Sequence, residues 1–238
     1  MQHYLGRIEN GLAFLEESDL HHLLHVKRAK IGEEIEVSQE GITYLCTVES
    51  IDPFRLLVKG EREDAREWTG KASLAFGILK GDHNELIVQK GTEIGLSAFY
   101  PFLSSRTVVK KEGPEDSKLL RLRKIAFEAT KQCRRAITPE VMSYKTFESI
   151  LSLPYEAKFI AYEDEAIHGK GFADVLREMP EIKEKSVLVL IGPEGGFSKE
   201  EAKEAVNAGF IPISLGKRIL RAETAALYVA SILQTVME

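Results

Sequence analysis

The sequence predicts a two-domain α/β protein: a small amino-terminal β-barrel domain, then a mostly parallel sheet covered by helices. Three observations carry this. In the first seventy residues polar and apolar side chains alternate at the period of half-buried strands. After residue 70, strand-like and helix-like runs alternate instead. Near the end, two apolar runs each flow into a Gly-bearing, charged loop and then a helical pattern. Val187–Ile191 leads into Gly192-Pro193-Glu194-Gly195-Gly196-Phe197, and Phe210–Leu215 leads into Gly216-Lys217-Arg218-Ile219-Leu220-Arg221-Ala222-Glu223-Thr224.

Taken in order, the first part holds a helical stretch from Ser18 to Ala29, with Ser18 or Asp19 as N-cap. Glu34–Val37, Thr43–Val48 and Arg55–Lys59 read as strands, and short strands separated by turn residues predict a small barrel. Glu61–Gly70 is charged and poor in apolar residues and reads as a linker, which sets the domains at residues 1–68 and 72–238. A strand at Ala72–Leu79, a helix at Asn84–Gly95 and a strand at Ala98–Leu103 open the second part. A long helix over Pro114–Gln132, a strand at Lys158–Tyr162 and a helix at Gly171–Glu178 follow. Between the two signature strands, Ser198-x-x-Glu201 is a capping box that starts a helix, which Gly209 ends. A last helix runs from Glu223 to Val236.

Composition narrows the function classes. The chain has 238 residues, 44% of them hydrophobic, enough for a real core. Its two cysteines, Cys46 and Cys133, form neither a disulfide framework nor a metal-ligand spacing. His21, His22 and His25 cluster without a carboxylate or cysteine partner and read as helix surface, not as a metal site. The start of the chain shows no basic-then-apolar leader, and no apolar run is long enough to cross a bilayer. A cytoplasmic protein with no membrane and no metal is the expectation. The net charge of −5 argues at first against a nucleic-acid partner. The distribution argues otherwise: residues 1–70 hold 8 basic and 14 acidic side chains, whereas 106–135 hold 10 basic and 4 acidic. A local basic stripe outweighs the global sum when the partner is a phosphate backbone, although the same stripe also suits a solvated helix face.

In an open α/β sheet, ligands bind at the carboxyl ends of the strands. Two such ends side by side predict a pocket rimmed by backbone amides and carbonyls. Neither loop carries Gly-x-Gly-x-x-Gly or Gly-Lys-Ser/Thr, so the common nucleotide fingerprints are absent. Gly195-Gly196 allows close backbone approach to a flat ligand.

Ile191–Phe197 and Leu215–Ala226 together resemble the carboxyl-terminal signature of the SPOUT methyltransferases, and more narrowly the RsmE type, the 16S rRNA uridine-N3 methyltransferases. Lys80-Gly81, Gln89-Lys90-Gly91-Thr92-Glu93-Ile94-Gly95, Glu128-Ala129-x-x-Gln132-Cys133-x-Arg135-x-x-x-Pro139 and His22-Leu23-x-x-Val26-Lys27-Arg28 match as well, in the family's order and over most of the chain. Two positions depart. Lys27 stands where the family usually has Leu, and Lys80-Gly81 continues with Asp82-His83-Asn84 instead of a basic residue, so the resemblance assigns position 83 no role.

The resemblance implies a PUA-like RNA-binding barrel and a SPOUT domain with a deep trefoil knot. It also implies a homodimer with S-adenosyl-L-methionine as cofactor, acting on 16S rRNA or the small ribosomal subunit. The apolar face of the last helix, Ala226, Leu227, Val229, Ala230, Ile232 and Leu233, suits either a dimer interface or an ordinary core. The implied cofactor residues are Leu190, Ile191, Gly192, Glu194, Gly195, Gly196, Leu215, Gly216, Ile219, Leu220, Arg221, Thr224 and Ala225. Leu215, Ile219 and Leu220 would pack on the adenine faces, or else in the core. The implied RNA contacts are Arg28, Lys90, Arg121, Arg123, Lys124, Gln132 and Arg135.

Uridine N3 carries a proton and is a poor nucleophile while neutral. The enzyme must remove that proton or favour the anion; a carboxylate can accept it, and Glu223 and Glu194 are the candidates. Arginine donors stabilise charge spreading onto O2 and O4, and Arg135 and Arg221 are the candidates. Each has an alternative: Arg135 binding a phosphate, Arg221 and Glu223 as a structural pair, Glu194 binding the ribose or capping a helix. Two other functions compete. One is a SPOUT enzyme acting on tRNA or on a ribose 2′-hydroxyl; the other is a non-catalytic RNA-binding ribosome-assembly protein. The amino-terminal β domain and the Gln132-to-Arg135 segment favour the rRNA enzyme over the first, and the intact Gly192–Gly196 and Arg221–Thr224 loops favour it over the second.

Overall fold

The computed structural model describes residues 1–63, 66–106, 115–162 and 170–238. It divides into two compact units, Met1–Glu67 with Thr130–Thr138, and Trp68–Ala129 with Pro139–Glu238. A single cut near residue 70 has no place for the 130–138 segment. Pro114 and residues 107–114 of the basic stripe lie outside the described residues.

The first unit contains β1 (Gln2–Glu9), β2 (Leu12–Leu15), α1 (Glu17–His21), β3 (Glu34–Gln39), β4 (Ile42–Ile51) and β5 (Phe54–Glu63). The strands close a barrel in the order β1-β2-β5-β4-β3, shut by parallel pairing of β1 with β3. Alternate residues of β3 and β4, Ile35, Val37, Cys46 and Val48, join Tyr4, Leu23 and Leu56 in its core. Burial there pushes the Cys46 thiol up to about 11, which suits a packing role and not a nucleophile. The hairpin β1–β2 was not among the expected strands. Its turn, Asn10-Gly11, has positive φ at both residues (52° and 76°), the type I′ geometry that matches strand twist. β5 runs to Glu63, so the start of the expected linker is strand.

The helix begins at Glu17 with Glu16 at the N-cap, earlier than Ser18 or Asp19. Asp19 is instead buried and paired with Lys131 at 2.8 Å. A wider π turn over His22–Val26 continues the helix. His21 and His25 meet at a tilt on its exposed side, 4.6 Å between ring centres, but His22 is half-buried with Nδ1 3.3 Å from the Tyr4 hydroxyl.

The second unit runs β6 (Lys71–Gly77), α2 (His83–Ile94), β7 (Ala98–Leu103), α3 (Glu115–Cys133, its last turn in the first unit), β8 (Glu140–Val141), β9 (Lys145–Thr146) and α4 (Phe147–Leu151). It continues with β10 (Ala157–Ala161), β11 (Lys170–Gly171), α5 (Phe172–Arg177), β12 (Ser186–Ile191), α6 (Lys199–Asn207), β13 (Ile211–Ser214) and α7 (Ala222–Met237). Every described pairing in its sheet is parallel, in the order β11-β13-β10-β12-β6-β7-β8, with β9 also on β7. Among the described residues no helix is long and apolar enough to cross a membrane.

The central strand explains the layering. Val187 to Ile191 are all 2% exposed or less, the continuous apolar run of a strand covered on both faces. Val187, Val189 and Ile191 face the core shared with α2, α3, α5 and α7, while Leu188 and Leu190 face α4 and α6. Each such fully buried side chain contributes about 1.5–3 kcal/mol. One expectation changes here. β12 and β13 are not neighbours, because β10 lies between them, paired with both. Three parallel strand ends, not two, face one edge.

Candidate functional site

A cleft of about 770 Å³ opens at that edge. One wall is the loop after β12, Ile191 to Phe197. A second is Ile213, Leu215 and the irregular segment Arg218–Arg221, continued by Ala222, Glu223 and Ala225 at the start of α7. The end of β10 supplies Ala161 and Tyr162 between them, and His83 and Arg106 complete the lining.

The first loop is held from three sides. The Gly196 N–H donates to the Pro193 carbonyl at 2.8 Å, closing a four-residue turn. Pro193 packs close against Gly77 at the end of β6: a Cβ on Gly77 would stand 2.5 Å from the Pro193 nitrogen, so only glycine admits this approach. Phe197 is buried and lies parallel to Phe102, with ring centres 6.3 Å apart, anchoring the far end to the opposite sheet face. The capping box is formed. The Glu201 N–H donates to Ser198 Oγ at 3.0 Å, and the Ser198 N–H donates to Glu201 Oε2 at 2.8 Å. Glu201 Oε1 also accepts from the Ser105 N–H at 2.9 Å, tying the start of α6 to the chain after β7. From there the Arg106 guanidinium donates to the Gly195 carbonyl at 3.1 Å.

Two carboxylates border the cleft. Glu194 Oε1 accepts the Lys80 backbone N–H at 2.9 Å. Glu223, in the first turn of α7, is 13% exposed and stands 3.6 Å from His83 Nδ1. A helix start favours such a negative charge. Arg221 is exposed at the N-cap of the same helix.

The structure therefore gathers Ile191, Gly192, Glu194, Gly195, Gly196, Leu215, Ile219, Leu220, Arg221, Glu223 and Ala225 around one cleft. Leu190, Gly216 and Thr224 do not line it. The Leu190 side chain points to the other sheet face by strand alternation, the Gly216 N–H turns back to Ser214 Oγ at 3.2 Å, and Thr224 is exposed. Ile219 is 95% exposed, which removes core packing as its role. Sequence reasoning missed Tyr162, His83 and Arg106, because their loops come together only through strand order.

Arg135 stands apart from these residues. It is not in the cleft lining but 4% exposed in the other unit, with its guanidinium donating to Glu67 Oε2 at 2.8 and 3.1 Å. Glu67 Oε1 also accepts the Ala136 and Ile137 N–H groups at 2.9 and 3.1 Å. These bonds tie the guanidinium to Glu67 and so to its own segment. The remaining basic candidates differ among themselves. Arg121 pairs with Glu85 at 2.7 Å, Lys90 with Glu93 at 2.9 Å, and Arg123 Nε donates to the Val141 carbonyl. Arg28, Lys124 and Gln132 are exposed.

A family model described as an RNA methyltransferase domain matches residues 66–234, and one described as an RNA methyltransferase PUA domain matches residues 15–59. The ribosomal RNA small subunit methyltransferase E of Bacillus subtilis (strain 168) is 35% identical over 234 residues, 94% of this chain and 91% of that protein. The chain belongs to the ribosomal RNA small subunit methyltransferase E family. The five-stranded barrel is accordingly the PUA-like domain of this methyltransferase. Two solved structures share the whole fold. The ribosomal RNA small subunit methyltransferase E of Neisseria gonorrhoeae bound to S-adenosyl methionine aligns with a TM-score of 0.82 at 26% identity, covering 99% of this chain and 97% of that one. A putative methyltransferase of Legionella pneumophila in complex with the cofactor SAM aligns with a TM-score of 0.80 at 28% identity, covering 98% and 96%.

Proposed function

We propose that this methyltransferase uses S-adenosyl-L-methionine to methylate N3 of a uridine in 16S ribosomal RNA, and that the cleft at the ends of β10, β12 and β13 is where the cofactor sits. The observation that carries this is the donor set of the cleft. Ile191, Ile213, Leu215, Leu220 and Ala225 give an apolar bed for a flat base, and Glu194 and Glu223 give carboxylates for hydroxyl or cationic groups. Arg106, Arg218 and Arg221 give cations for a carboxylate. That combination matches a molecule with an adenine, a ribose, a sulfonium and an amino-acid end. When bound, S-adenosylmethionine supplies an electrophilic methyl group.

The chain's own residues do the rest. The Pro193-to-Gly196 turn and the Leu215-to-Leu220 segment hold and orient, which is most of what a methyl transfer asks of a protein. Glu223 is the proposed acceptor of the uridine N3 proton. Arg221, two residues earlier, is the proposed donor to charge developing on O2 and O4. The basic surface with Lys124 and the barrel residue Arg28 hold the RNA by its phosphates. The reading includes a homodimer in the cytoplasm: the fully exposed Ile219 beside the cleft and the half-exposed Tyr228 on α7 are apolar groups for a second copy to cover. It also includes the trefoil threading of the carboxyl-terminal segment that the family resemblance implies.

The test is calorimetric titration with S-adenosylmethionine in the presence of a chelator, followed by nucleoside analysis of small-subunit rRNA treated with the purified protein. Binding that survives chelation and a 3-methyluridine product are expected. A methylated ribose, a methylated tRNA, or no cofactor binding would overturn the reading.

A further inference from the structure

We infer that the turn between β6 and α2, residues 79–82, together with the first helical residue His83, is a third positioning element of the cleft, and that His83 is a positioning residue for the Glu223 carboxylate. This rests on the proposed reading of the cleft as a methyl-transfer site and says what holds its proton acceptor in place.

The turn is braced from within. Asn84 Oδ1 accepts the Leu79 N–H at 3.0 Å, and Asn84 Nδ2 donates to the Leu79 carbonyl at 2.8 Å. Both backbone groups of one residue are thereby locked by one side chain, and the four residues between are pinned, with Gly81 at φ 63°. From this fixed turn the Lys80 N–H reaches Glu194 Oε1 at 2.9 Å. Three residues on, His83 Nδ1 reaches within 3.6 Å of Glu223 Oε1. One short turn thus touches both cleft carboxylates, one on each signature loop, though it belongs to neither.

The two contacts differ in kind. Glu194 is held by a backbone N–H that any non-proline residue at position 80 supplies. Glu223 is approached by a side chain, at 3.6 Å, so the identity of residue 83 decides that contact. A glutamate has three rotatable side-chain bonds, and a proton acceptor loosened by even an ångström loses much of its rate. The start of α7 fixes the Glu223 backbone; His83 is the second point that fixes its carboxylate.

A double-mutant cycle in the full-length chain tests this. The variants are His83→Ala, His83→Asn, Glu223→Gln and His83→Ala combined with Glu223→Gln. The readouts are single-turnover methylation of small-subunit rRNA at saturating RNA and cofactor, the calorimetric Kd for S-adenosylmethionine, and the melting temperature. His83→Ala should slow the single-turnover rate about tenfold, within the range of couplings between neighbouring residues, while the cofactor Kd and melting temperature stay near wild type. His83→Asn keeps a donor near the Nδ1 position and should recover most of the rate. In the Glu223→Gln background the His83→Ala change should add less than about twofold, because the interaction is already gone. A wild-type rate for His83→Ala, or fully additive losses in the double variant, overturns the inference. A failure of the underlying reading looks different: the unmodified protein would bind no cofactor, or Glu223→Gln would keep the wild-type rate whatever stands at position 83.

Discussion

At the scale of single residues, the pairing of Arg135 with Glu67 matters most. The Arg135 side chain is 5% exposed and that of Glu67 14%, and Glu67 Oε1 accepts the Ala136 and Ile137 N–H groups. Removing one member of such a pair strands the other charge away from water. Arg135→Ala should therefore cost about 3–5 kcal/mol of folding stability, read from the urea midpoint with unchanged slope. A loss below about 1 kcal/mol, the scale of an exposed ion pair, would mean that the clamp is dispensable. Arg135→Lys should recover only part of the loss, because a point charge does not reproduce the two guanidinium bonds to Glu67 Oε2.

At the scale of elements, the loop after β12 takes its shape from the strand beside it. Gly77 ends β6 directly under Pro193, and an added methyl there meets the proline ring and nitrogen at 2.5 Å. Such overpacking costs about 1–3 kcal/mol. Gly77→Ala should push the Pro193–Gly196 turn off its seat and raise the cofactor Kd by roughly tenfold or more, measured by calorimetry. An unchanged Kd would show that the turn does not hold the cofactor. α3 makes a different prediction. Replacing Arg121, Arg123 and Lys124 by Ala should weaken RNA binding and lower its salt slope by roughly one per lost phosphate contact. Arg121 is already paired with Glu85, and Arg123 is tied to the Val141 carbonyl. The Lys124 change alone should therefore carry the larger share of the effect. Equal effects from all three would mean that RNA outcompetes those partners.

At the scale of the whole molecule, the first compact unit is discontinuous. Its barrel is made by residues before 68, but Thr130–Thr138 belongs to it, joined by the Asp19–Lys131 and Glu67–Arg135 pairs. A fragment of residues 1–68 lacks both partners and leaves Asp19 and Glu67 partly buried without them. That fragment should unfold at a lower denaturant concentration than the barrel within the full chain, followed by barrel-specific amide signals. An equal midpoint would make the added segment a passenger.

The sequence alone determined what local pattern and chemistry can carry. Alternation in Glu34–Val37 and Thr43–Val48, the apolar run Val187–Ile191 and the Ser198-x-x-Glu201 box each specify an element, because their periods and caps are properties of neighbouring residues. The two Gly-bearing loops marked the cleft for the same reason. β1 and β2 were missed because Gln2–Glu9 mixes polar and apolar residues without clean alternation, and the Asn10-Gly11 turn was the one local signal for them. The two-residue strands β8, β9 and β11 are too short to show any period. What tertiary structure alone decided was who meets whom. β10 enters between β12 and β13, which brings Tyr162 into the cleft; His83 meets Glu223 across more than half the chain; and Glu67 turns Arg135 inward. Those contacts depend on strand order and on which charges share a desolvated space, and neither is written in the spacing of residues along the chain.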